Sequence, residues 1–345
     1  MFILTLTLTL ILRQEVGKMK ERKGILWLLG VAVLFLFECL FLPDSGAAAK
    51  KYLSLGTGNP SGTYYFLGAG FASIFNKYGS GVRVIAESTA AAEENFNLIL
   101  RKKMDLAITS CNPIKSAAEK NTDFSNIRLM AMGHTSDQHW FVRKETPIQS
   151  ISDFRGRKVS VGQPGSGTLI MAKWVLEACG LTFNDFKPAY LSFTESVTGI
   201  KDNTVEVGLI AAGYPVASLL DLSRQIPLRL LPYTPKELEA VFVKIPYLVN
   251  VTIPAGTYPG ISIDTPTHGS PAFLACRHDL SDEMVYQLMK ALYEHPKERD
   301  AIHPQARQWS PENIFRGADF VTQHFPFHPG AMKYLKEKGL WKGKG

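Results

Sequence analysis

Cysteine is scarce in this chain: four residues in 345. Cys39 sits in an apolar N-terminal stretch, which leaves Cys111, Cys179 and Cys276. Three thiols permit at most one internal disulfide, and their spacing shows no zinc pattern. Small buried hydrophobes are the plainer reading of all three. Blocks of like charge are also missing. The chain holds 38 Lys/Arg against 31 Asp/Glu, a net +7, scattered along its length. That argues against a nucleic-acid surface and for anionic small molecules. No apolar run of membrane-spanning length follows Leu42.

Catalytic and nucleotide signatures are missing too. "LGTGNPSGTYYFLGAGFASIF" (Leu55–Phe75) holds five glycines, but not in dinucleotide-binding spacing. No phosphate-loop lysine follows it. "GQPGSG" is not a nucleophile elbow. His134 and His139 are five apart, and His324 and His328 are separated by Pro326. Neither pair makes a helical metal or catalytic motif. A hydrolase reading starts low, and no cofactor or metal is expected.

The N-terminus reads as an export signal. Lys20, Arg22 and Lys23 precede an apolar run from Ile25 to Leu42, and Ala47-Ala48-Ala49 closes it. Basic, apolar, small is the order of a secretory signal peptide. Residues 1–49 are assigned to it, with Met19 as a candidate start. The alternative is a retained membrane anchor; a lipoprotein fits less well, because Glu38 precedes Cys39. The remainder is long enough for two domains.

From Lys51 strands and helices alternate, which predicts a mostly parallel sheet. "IRLMAMGHTSDQHWFVRK" reads as two strands around a turn, and "SDEMVYQLMKALYEHPKERDAI" as one clear helix. A turn-rich stretch at Pro147 restarts the rhythm, so residues 145–250 read as a second α/β lobe inserted into the first. The first lobe then comprises 50–144 and, on the chain's return, 251–345. A cleft between the lobes follows.

Three loops, "GTGNPSGTYY", "GQPGSGTLI" and "AAGYPVASL", each follow a strand and open a helix. Helix N-termini leave N–H groups free and carry positive partial charge, and glycine lets a ligand approach the backbone. Loops from both lobes meeting in one cleft predict an anion site. Ser166 and Thr168 add hydroxyls to it, and Tyr64 or Tyr65 a phenol. Turn chemistry with ordinary N-caps is the competing explanation.

These stretches, with "AESTAAAEENFNLI" and "PFHPGAMKYLKEKG", resemble the TAXI family of solute-binding proteins of tripartite ATP-independent periplasmic (TRAP) transporters, in order, over nearly all of Tyr52–Gly339. The resemblance implies a two-lobed periplasmic binding protein fold, type II-like, in the α/β class. It implies a monomeric periplasmic protein that is not an enzyme. The ligand would be a small carboxylate such as a glutamate-like amino acid, an oxo acid or a dicarboxylate, delivered to TRAP membrane subunits. It places Gly58, Ser61, Gly62, Thr63 and Tyr64 at the ligand, with Thr89, Asn95 and Ser110. From the second lobe it brings Gly165, Ser166, Gly167 and Thr168, and then Gly213, Tyr214 and Pro215. One departure stands out. The family usually reads Thr-Gly-Gly-Ser where this chain has Thr89-Ala90-Ala91-Ala92, so Ala92 lacks a hydroxyl. A sensor input module, or an α/β enzyme acting on a small acid, are the other readings.

Overall fold

The structure is a computed structural model that describes residues 51–342. The expected signal segment lies outside the described residues. Among them, no helix is long and apolar enough to cross a membrane.

The first lobe begins with three strand–helix units. Strand β1 (Lys51–Gly56) leads to helix α1 (Thr63–Tyr78), β2 (Val82–Glu87) to α2 (Ala92–Leu100), and β3 (Leu106–Ser110) directly to α3 (Cys111–Ala118). In β2, Val82 and Val84 turn inward while Arg83 and Ile85 are exposed, the alternation of a half-buried strand. Helix α1 buries Leu67, Phe71, Ile74 and Phe75, the spacing of one helical face.

Two long strands then organise the molecule. Strand β4 (Ile127–Arg143) is 17 residues long and β10 (Thr265–Arg277) is 13. They pair antiparallel from Ile127↔Arg277 to Asp137↔Gly269. The start of β4 and the end of β10 lie in the first lobe, where β10 also pairs with β3. The end of β4 pairs with β7 (Gly208–Ala212) and β8 (Leu228–Leu230), and the start of β10 with β9 (Val249–Ile253). The chain therefore leaves the first lobe along β4 and returns along β10. Both crossings run through strands rather than loops.

The second lobe adds β5 (Lys158–Ser160), α4 (Gly167–Ala178), β6 (Lys187–Ala189), α5 (Phe193–Lys201), α6 (Ala217–Gln225) and α7 (Pro235–Lys244). After β10 the chain closes over the first lobe with α8 (Asp282–Glu294), α9 (Pro296–Ile302), α10 (Ala318–Thr322) and α11 (Pro329–Glu337).

Three expectations change. The segment read as two strands is one, because Gly133 does not turn the chain. A Cβ there would lie 2.2 Å from the Trp309 ring, so this glycine answers to close packing. The sheet is mixed rather than mostly parallel: β1 is parallel to β2 and β3, but the crossing strands run antiparallel to their neighbours. The helix read over 281–302 breaks at His295, since Pro296 has no N–H to continue the ladder and instead starts α9. Cys111, Cys179 and Cys276 are all free thiols.

Candidate functional site

Five helices begin at one cavity. Its lining includes Gly62 and Thr63 at the start of α1, Ala91 and Ala92 at α2, Ser110 at α3, Ser166 and Gly167 at α4, and Ser192 and Phe193 at α5. Each start follows from local sequence. Gly62, Ala91 and Ser110 are the N-cap positions of the first-lobe helices, and none makes a side-chain capping bond. In the second lobe Ser166 Oγ accepts from Leu169 N at 3.2 Å. Ser192 forms a full capping box with Glu195. The first-lobe wall thus presents uncapped N–H groups, with the positive ends of three helix dipoles behind them.

The lobes touch directly around this cavity. Thr63 Oγ1 donates to Gly213 O at 2.6 Å, Asn112 Nδ2 to Gly167 O at 3.2 Å, and Glu94 N to Gly165 O at 3.1 Å. Glycine permits the close approach of the lobes at two positions. A Cβ on Gly167 would lie 3.0 Å from Ala92 Cβ, and one on Gly62 3.1 Å from Phe193. The cavity volume is about 40 Å³, small beside the roughly 300–1,000 Å³ of common ligand pockets. A ligand of this site has few heavy atoms, or the lobes part to admit it.

No Asp, Glu, Lys, Arg or His lines the cavity. Its polar groups are backbone, hydroxyls and amides, and Met171, Leu191 and Phe193 supply apolar surface. Tyr64 Oη donates to Thr109 O and accepts from Ser136 Oγ, each at 3.1 Å. Burial pushes its phenol well above the usual range, so it stays neutral. The histidines lie elsewhere. His134 Nδ1 accepts from Trp309 Nε1 at 3.1 Å, and burial lowers its pKa to about 3. His139 contacts Asp137 O and Tyr258 Oη, and burial lowers it to about 4. Among the described residues no cluster of His, Cys, Asp and Glu is arranged to hold a metal ion.

Of the residues expected at the ligand, the structure brings Gly58, Gly62, Thr63, Tyr64, Ser110, Ser166, Gly167 and Thr168 to the cavity. Others serve the loops instead. Asn95 is fully buried; its Nδ2 donates to Thr57 O at 2.7 Å and Ile108 O at 2.8 Å, and its Oδ1 accepts from Thr89 Oγ1. Thr89 and Asn95 therefore clamp strand ends together. Ser61 Oγ turns back to Asn59 Oδ1 at 2.7 Å. Gly165 takes φ +77° in the loop before α4. Gly213 accepts from Thr63 and packs on Gln305 and His134, while Tyr214 O accepts from Gln305 Nε2. Ahead of the Gly213–Pro215 turn, Ala211 and Ala212 line the cavity. Glu87, the carboxylate at the end of β2, is exposed and outside the lining, so it is not placed to meet a ligand ammonium.

Sequence reasoning missed Asn112, Ser136, Gln138 and Gln163, which also line the cavity. Ser136 and Gln138 share one face of β4, a period-two signal hidden by reading that strand as two strands around a turn.

A family model described as the NMT1-like family matches residues 55–339. Among solved structures, a protein from Bordetella bronchiseptica RB50 is similar at 13% identity, covering 84% of this chain and 99% of its own, with a TM-score of 0.53. A binding protein component of an ABC phosphonate transporter from Pseudomonas aeruginosa shares 12% identity over 86% and 91% of the two chains, at a TM-score of 0.51. The alkanesulfonate-binding protein SsuA from Xanthomonas axonopodis pv. citri, bound to MOPS, shares 15% identity over 84% and 85%, at 0.48. The shared architecture is the two-lobed α/β fold of type II periplasmic binding proteins, with a cleft between the lobes. These findings correct the reading as a TAXI-family protein of a TRAP transporter. The transporter named for the Pseudomonas aeruginosa protein is of the ABC type. The TRAP membrane subunits fall as partners with that reading.

Proposed function

The chain belongs to the NMT1-like family, and from that premise we propose that it is an extracytoplasmic solute-binding protein that encloses a small oxyanion and delivers it to a membrane transport complex. The observation that carries this reading is the wall of three uncapped helix N-termini, facing a closing lobe across a cavity with no charged side chain. Such ends offer oriented N–H donors and positive potential to a carboxylate, sulfonate or phosphonate without a basic side chain. The cavity lining has no carboxylate, imidazole or thiol to act as a general base, which favours capture and release over turnover. A like fold in the binding protein component of an ABC phosphonate transporter supports an oxyanion ligand and an ABC-type partner. The signal-like residues 1–49 supply the export route, and residues 145–250 the closing lobe.

Calorimetry with short carboxylates, sulfonates, phosphonates and neutral sugars tests this. Saturable one-to-one binding of an oxyanion, left chemically unchanged, is expected. Binding of sugars and of no oxyanion would overturn it.

A further inference from the structure

One polar side chain of the cavity has no protein partner for its donor. Gln138 is 2% exposed, lines the cavity, and its Nε2 makes no hydrogen bond. Buried amide donors are nearly always paired, so an orphan one on a cavity-lining side chain marks a place for a ligand acceptor.

The orientation of this amide is set from behind. Gln138 Oε1 faces Tyr233 Oη and, at 2.7 Å, His268 Nε2. Tyr233 Oη in turn accepts from Trp140 Nε1 at 2.7 Å. An indole N–H can only donate, so the tyrosine directs its own proton onward to the amide oxygen. His268, carrying its proton on Nε2, supplies the second donor. Both acceptor sites of Oε1 are then filled, and the NH₂ group is left to the cavity. Tyr233, His268 and Trp140 are all buried and come from different parts of the second lobe and the crossing strands, so the amide cannot turn without breaking the set.

We propose that Gln138 is the specificity-determining residue of this site, selecting oxyanions that carry a second, uncharged acceptor such as a hydroxyl or carbonyl oxygen over counterparts with a methyl or methylene in its place. This rests on the oxyanion reading above. The helix ends take the charged head, and Gln138 Nε2 takes the second oxygen. A second full charge would enter a cavity that holds no basic side chain. An apolar replacement would leave the Gln138 donor buried and unpaired, the condition under which a site discriminates most strongly.

The test uses the full chain and matched probes: glycolate with propanoate, pyruvate with methacrylate, 2-hydroxyethanesulfonate with 1-propanesulfonate, and hydroxymethylphosphonate with ethylphosphonate. Dissociation constants are measured for the wild type, Gln138→Met and Tyr233→Phe. The wild type is expected to prefer the oxygen-bearing member of at least one pair by about tenfold or more. Gln138→Met should erase that ratio while holding the apolar member within about threefold. Tyr233→Phe frees the amide to rotate and should shrink the same ratio, which also covers a Gln138→Met protein that fails to fold. Wild-type binding with no preference in any pair, or equal weakening of both members by Gln138→Met, overturns the proposal and leaves the oxyanion reading intact. Failure of every probe to bind the wild type overturns both.

Discussion

The two walls of the cleft begin their helices differently. In the first lobe α1, α2 and α3 start at Gly62, Ala91 and Ser110 with no side chain capping them. In the second lobe Ser166 and Ser192 cap α4 and α5. A capped helix satisfies its own first turn; an uncapped one keeps donors for something else. The difference assigns roles to two walls that look alike in sequence. On the oxyanion reading proposed above, the first lobe would hold the anion, and the second would be the cover that brings Thr168, Gln163 and apolar surface down on it.

The largest effect should come from filling the first wall with its own anion. Ser110→Asp places a carboxylate at the start of α3, where it caps the helix and repels the ligand. Titration calorimetry should show binding weakened by roughly 100-fold or more, because juxtaposed like charges cost several kcal/mol. Thermal unfolding of the ligand-free variant is the folding control, since Ser110 makes no capping bond for the carboxylate to replace. Unchanged affinity would mean that α3 is not part of the anion site.

Thr168→Val should come next. It removes a buried hydroxyl from the cavity and should weaken binding by about 1–3 kcal/mol. Ser166→Ala sharpens the contrast. Ser166 Oγ is already committed, donating to Gln163 O at 2.6 Å while accepting from Leu169 N. Its loss should therefore cost about 1 kcal/mol of folding stability, read by chemical denaturation, and weaken binding less than Thr168→Val does. Equal binding losses in both variants would erase the distinction between a cap and a ligand contact.

The smallest effect concerns Ala91, which holds φ 78° and ψ −136° at the N-cap of α2. A Cβ is unfavourable there, and this is the stretch where the chain reads Ala-Ala-Ala. Ala91→Gly should raise stability by about 1 kcal/mol, seen as a higher denaturant midpoint. A lower midpoint would show that the alanine methyl contributes more by packing than its backbone conformation costs.

Much of the cleft was legible as strand–glycine–helix punctuation. Gly58, Gly62 and Gly167 mark places where two walls or a turn need an absent Cβ, and such needs are written locally. Roles set by distant partners were not legible. Asn95 looked like a ligand contact, but its partners are the backbone of Thr57 and Ile108, carried there by other strands. The long strand looked like two strands around a turn, and the reason for Gly133 was hidden because Trp309, the ring it makes room for, lies far along the chain. Splitting that strand hid the shared face of Ser136 and Gln138. The hydroxyl of Ser166 illustrates a third limit. Sequence places it in the right loop, but only the geometry tells a cap from a free donor.

The most direct test of the account follows the backbone amides themselves. In a ¹⁵N-resolved NMR titration of the protein with the tightest-binding oxyanion of the panel, the first-turn amides of the first wall, Thr63, Tyr64, Ala92, Glu93, Cys111 and Asn112, should move most as N–H donors engage the ligand. The capped first turn of α5, at Thr194 and Glu195, should move least. Saturable binding with the largest shifts at the second-lobe helix starts, and none at α1 to α3, would contradict the assignment of the anion to the uncapped wall.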